Sequence, residues 1–138
     1  MSELLEAGGD RPAGRVTTAQ RRKLRQAAFV YLHYGILYQS VVVVLAQRGL
    51  ASPERGPVWL WLLIGVLIVA MVFWALWFRE SVWTARIIWA VHSLRVPTLL
   101  GGAFFADAAQ RLPSSFYITA LLVVLVNLWM LARAGWDL

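Results

Sequence analysis

Four long apolar segments, at Ala27–Ala46, Val58–Phe78, Val82–Phe105 and Ser114–Ala132, take up most of this 138-residue chain. A helix needs about 20 mostly apolar residues to cross a hydrocarbon core of ~30 Å. Each segment meets that length, and only the third carries charge well inside its span. The expected fold class is therefore all-α: a polytopic integral membrane protein with four transmembrane helices in two antiparallel hairpins, N-in and C-in. Residues 1–16 mix acids, glycines, a proline and arginines without periodicity and are expected to be a disordered cytoplasmic tail. Residues 17–138 form the expected four-helix domain.

Composition supports the class. Hydrophobic residues make up 60% of the chain and charged residues 14%, far from globular averages, so the apolar surface is expected to face lipid rather than wrap one large core. The chain has no cysteine, which excludes disulfides, thiol chemistry, iron–sulfur clusters and cysteine-ligated zinc.

A sequence pI near 10.8 invites a nucleic-acid reading, but the placement of the charges points to topology instead. Arg11, Arg15, Arg21, Arg22, Lys23 and Arg25 precede the first span, Arg79 and Arg86 flank the second connection, and Arg133 follows the last span. The other two connections hold only Arg48, Arg55 and Arg111. Lys and Arg accumulate on the cytoplasmic side of short loops, so both termini are expected in the cytoplasm of a bacterial-type inner membrane. Arg21, Arg22, Lys23 and Arg25 are the expected contacts for anionic lipid headgroups. No aromatic or folded platform accompanies them, so no nucleic-acid partner is expected. The apolar run after Arg21-Arg22-Lys23 is too long for a cleaved signal and reads as an uncleaved anchor.

Local signals place the ends of the helices. Thr17-Thr18-Ala19-Gln20 fits a capping box, so the first helix is expected to begin near Thr18 and project about two turns beyond the lipid. Gly49, Pro53, Gly56 and Pro57 interrupt the chain before the second span, and Pro113-Ser114 opens the fourth. The link around Arg79-Glu80-Ser81 is so short that spans two and three are expected to be neighbours. Trp59, Trp61, Trp74, Trp77, Trp83, Trp89, Trp129 and Trp136 fall near span ends or beside them, as an interfacial belt requires.

Polar residues inside lipid concentrate in spans one, three and four. Arg95 is the sharpest case: a mid-span arginine costs at least ~2.5–3.5 kcal/mol, and no span contains an acid. Gln39, Thr98 and Asn127 fall at comparable depth and, with His92 and Arg95, form the expected intramembrane polar cluster or partner contact; Tyr38 and free carbonyls are further candidates. One reading is an anion, lipid-phosphate or partner-carboxylate site; the other is an arginine stem snorkelling along a short or tilted helix. Pro97 is expected to kink the third helix, and Gly101-Gly102 to let another helix approach closely. His33 and His92 are conceivable cofactor ligands, but His33 sits nearly opposite the Tyr31/Tyr34/Tyr38 stripe, so convergence on one haem is not expected.

No Gly-rich phosphate loop, metal-ligand spacing or serine–histidine–acid set is present, and the absence of membrane carboxylates argues against a proton-coupled exporter. No catalytic residue, metal or cofactor is expected. The leading functional expectation is a small membrane subunit that is not an enzyme and acts by assembling with other membrane proteins or with copies of itself. The alternatives are a homo-oligomeric channel or transporter for a small anion or lipid using Arg95, and an electron-transfer subunit binding haem or quinone through His33 and His92.

Overall fold

The computed structural model describes residues 16–50, 56–105 and 112–138. The expected tail at 1–16 (all but Val16), residues 51–55 of the first connection and residues 106–111 of the third lie outside the described residues. Within them five helices follow in order: α1 (Thr18–Gln47), α2 (Val58–Trp77), α3 (Val82–Ser93), α4 (Val96–Phe104) and α5 (Ser114–Trp136). No strand occurs among the described residues. Helices α3 and α4 together make one apolar run, so four helices are long and apolar enough to cross a membrane.

The capping chemistry explains several boundaries. Thr17 accepts a hydrogen bond from the Gln20 backbone N–H at 3.1 Å, which starts α1. The Gln20 side chain does not close the capping box; it donates to the Ala134 carbonyl on α5 at 3.4 Å. Gly49 ends the first helix in a left-handed conformation, φ +69°, the usual exit after a last helical turn. α1 is 30 residues long, or about 45 Å, so it outreaches the hydrocarbon core.

The α2–α3 link is a tight helix exit. Ser81 N–H donates back to Ala75 O at 3.1 Å, and Glu80 takes a left-handed conformation, φ 49°, which turns the chain out of α2. Ser81 then caps α3 by accepting from Thr84 N–H at 3.2 Å. Despite this short link, α2 packs mainly on α1 and touches α3 sparsely, whereas α5 packs on α1, α3 and α4.

Close approaches give the directions of the helices. Gly35 of α1 lies against Val69 of α2, and Gln39 against Gly65, so α1 and α2 run antiparallel. Gly102 meets Tyr117 and Gly135 meets Arg86, so α3 and α4 run antiparallel to α5. Lys23 pairs with Asp137 at 2.9 Å, and Arg21 with Glu80 at 2.6 Å. The start of α1, the α2–α3 link and the end of α5 therefore share one end of the bundle.

Packing is uneven along the bundle. Leu24, Ala27, Ala28 and Tyr31 on α1, Val72 and Leu76 on α2, Ala85 on α3 and Leu128, Leu131 and Ala134 on α5 join one buried cluster, all in the half nearer Glu80. Beyond Gly35 no described residue of α1 is buried. There, a surface groove of about 370 Å³ runs along the α1–α2 contact, lined by Gly35, Gln39, Ser40 and Val66 among others. Burial is deepest at one end of the bundle and shallower at the other, where Ala103 and Leu121 are the buried residues of α4 and α5.

Candidate functional site

Pro97 shapes the third span. It has no N–H to donate to the Ser93 carbonyl, and its ring crowds that same carbonyl. The helix accordingly breaks at Leu94–Arg95, with Arg95 N–H bonding His92 O at 3.1 Å in a tighter turn. Arg95 becomes the N-terminal cap of α4. The kink expected from Pro97 is thus a two-residue interruption placed at Arg95.

At the break, polar and aromatic groups of α1 and α3 meet. The Arg95 guanidinium donates to Tyr34 Oη at 3.0 Å and lies 4.7 Å over the centre of the Tyr38 ring. Tyr34 and Tyr38 stack at 6.3 Å. The buried His92 ring sits edge-on to Tyr31 at 5.5 Å and to Tyr34 at 5.2 Å. Its Nδ1 bonds to Ile88 O at 3.0 Å; a carbonyl only accepts, so Nδ1 carries a proton there. No acid joins Arg95 among the described residues. A guanidinium has five N–H donors, and only one is used here.

The other polar residues expected in this cluster are dispersed. Gln39 is turned toward α2, where its amide lies against Gly65. Thr98 is exposed on α4. Asn127 is 1% exposed, and neither of its amide atoms has a hydrogen-bond partner. The register set by Gly102·Tyr117 and Gly135·Arg86 puts Asn127 level with His92–Leu94. Arg95 and His92 thus come together with the tyrosines, and Gln39, Thr98 and Asn127 do not join them. Gly102 receives the Tyr117 ring of its own chain, while Gly101 opens onto free space. Leu94, Pro97, Thr98 and Gly101 consequently form an outward strip beside Arg95.

His33 and His92 do not converge. His33 is exposed on α1 with its Nδ1 on Phe29 O at 2.8 Å and its ring 4.3 Å from that of Phe29. His92 packs against a different face of the same helix. No group of three or more metal-ligating side chains occurs among the described residues.

Of the four described basic residues before the first span, three are engaged within the chain. Arg21 and Arg25 share Glu80, the latter at 4.0 Å, and Arg25 also lies over Trp77 at 5.6 Å. Lys23 holds Asp137. Arg22 is exposed and has no ion pair among the described residues. Arg86 ties α3 to α5 by donating to Gly135 O at 2.8 Å, with Trp83 and Trp136 each 5.5 Å away.

Glu80 and Asp137 were not singled out by sequence; their rarity was the available signal, since the chain has only seven acids. Tyr34 as the acceptor for Arg95 was signalled by the tyrosine stripe alone. No family model, curated protein or solved structure matches this chain.

Proposed function

We propose that the protein is a small, non-enzymatic subunit of a bacterial-type inner membrane that acts by assembling with other membrane proteins or with copies of itself. In this reading its two antiparallel hairpins insert with both termini in the cytoplasm. The observation that carries it is Arg95: a cation inside lipid with one hydrogen bond, no acid among the described residues, and an outward strip beside it where Gly101 leaves room for a foreign helix. A buried or half-buried cation needs further acceptors to offset its desolvation. A carboxylate on a partner helix would supply them and fix the register of assembly.

The test is native mass spectrometry of the protein purified in mild detergent. The expected result is a particle heavier than one chain, lost in Arg95→Ala and partly kept in Arg95→Lys, because lysine retains the charge without the planar fork. A wild-type monomer, or an unchanged particle in Arg95→Ala, would overturn the proposal. Topology is checked separately by reporter fusions at both ends and near Pro53 and Asp107. Ends on opposite faces would refute the two-hairpin insertion.

The same residue supports a second reading, a homo-oligomeric path for a small anion or lipid. Tyr34 and Tyr38 surround Arg95 with neutral hydroxyls instead of a neutralising acid, leaving its charge available. Anion flux into liposomes that is abolished in both Arg95→Ala and Arg95→Gln would favour this reading over a purely structural contact.

A further inference from the structure

A second charged feature lies far from Arg95, at the end of the bundle that carries Glu80. A groove of about 650 Å³ opens there around the outer side of α1, with Arg21, Arg22, Arg25 and Arg133 at its rim. Glu80 neutralises one charge, shared between Arg21 and Arg25. Arg22 and Arg133 have no ion pair among the described residues, so the rim keeps a surplus of positive charge.

Two helices grade the groove from charged to apolar in the same direction. On α1 the arginines give way, one turn deeper, to Phe29 and Val30. On antiparallel α5, Arg133 gives way to Met130 one turn earlier in sequence, which is also one turn deeper. Trp77 at the end of α2 completes the wall at the level of the arginines. A free phosphate would use only the rim, and an acidic peptide would leave the apolar wall facing lipid. The feature matched to both parts is an amphiphile with an anionic head and apolar chains.

We propose that this groove is a binding site for one anionic glycerophospholipid, its phosphate held by Arg22, Arg25 and Arg133 and its acyl chains lying along Phe29, Val30 and Met130. Lys23, engaged by Asp137, is outside the site. The site does not involve Arg95 and stands whether or not the chain assembles.

The test measures retention of phosphatidylglycerol and phosphatidylcholine on the full-length protein in detergent by native mass spectrometry. Phosphatidylglycerol should be retained preferentially. Arg22→Ala and Arg133→Ala should each weaken that retention about fivefold, whereas Arg48→Ala, the same charge loss at the other end, should leave it unchanged. Neither arginine has an ion pair among the described residues, so removing either breaks none there. Gln26→Trp fills the groove without changing charge and should also weaken retention, which diffuse attraction to a basic surface would not do. Equal retention of both lipids, an Arg48→Ala effect as large as that of Arg22→Ala, or an unaffected Gln26→Trp would overturn the site. Full displacement of phosphatidylglycerol by inorganic phosphate would also overturn it in favour of a phosphate site.

Discussion

Arg95 and Asn127 are both polar residues withdrawn from water, yet the bundle treats them differently. Arg95 keeps a long stem, a tyrosine hydroxyl and an aromatic face, and borders the outward strip of α4. Asn127 is enclosed with both amide atoms unpaired. Leaving a buried donor or acceptor unmade costs about 1–3 kcal/mol, while an apolar group of the same shape removes that penalty. Asn127→Leu, which keeps the branching at Cγ, should therefore stabilise the purified protein by about 1 kcal/mol, read as a higher unfolding midpoint in detergent. A lower midpoint would mean that the amide meets a partner in the assembled protein. Sequence reading expected both residues inside lipid at similar depth, and the helix register puts Asn127 level with His92–Leu94. It did not separate them, because depth along a helix says nothing about rotation around it. Gln39 shows the same limit: level with Arg95 by counting, it is rotated toward Gly65 on α2.

Among the elements, the spans were legible because lipid imposes a length, and the ends were legible where Thr17 or Pro113 supplied a capping or starting signal. The interruption at Leu94–Arg95 was partly legible: Pro97 marks it, and the ring's conflict with the carbonyl four residues earlier fixes its position. Pro97→Ala should restore a donor to Ser93 O and make α3 and α4 continuous. Amide exchange at residues 94–98 should then slow; an unchanged rate would show that packing on α5, not proline, holds the break. Less legible was the use of Gly102, whose expected helix neighbour is Tyr117 of the same chain. Gly102→Leu should push that ring aside and destabilise the fold by about 1–3 kcal/mol. Leu67→Ala, at a position 60% exposed on α2, should be nearly neutral in the same thermal assay. The opposite order would invert the assignment of inward and outward faces. Nothing in the pattern of α2 foretold that it would lean mainly on α1, since a helix apolar all round names no preferred neighbour.

The whole molecule is asymmetric from end to end. Ion pairs from Glu80 and Asp137, the Arg86 tie to Gly135 and most of the buried cluster gather in one half, and in the other a groove runs along the α1–α2 contact with no ion pair among the described residues. Sequence charge counts indicated which end would be basic, but not that its few acids would clamp it, because pairing depends on which helix ends meet. This uneven packing bears on how the protein meets bilayers of different thickness. A helix bundle adapts to mismatch by tilting or by deforming the surrounding lipid, at a modest free-energy cost per ångström. Here the clamped half should hold its geometry, so adjustment falls to the other half, where α1 and α2 can change their separation without breaking an ion pair. Distances between spin labels at Val43 and Leu63 should then vary with acyl-chain length, while those between Lys23 and Trp136 stay fixed. Variation at both pairs would show a bundle that tilts as one rigid body, with both leaflets sharing the strain.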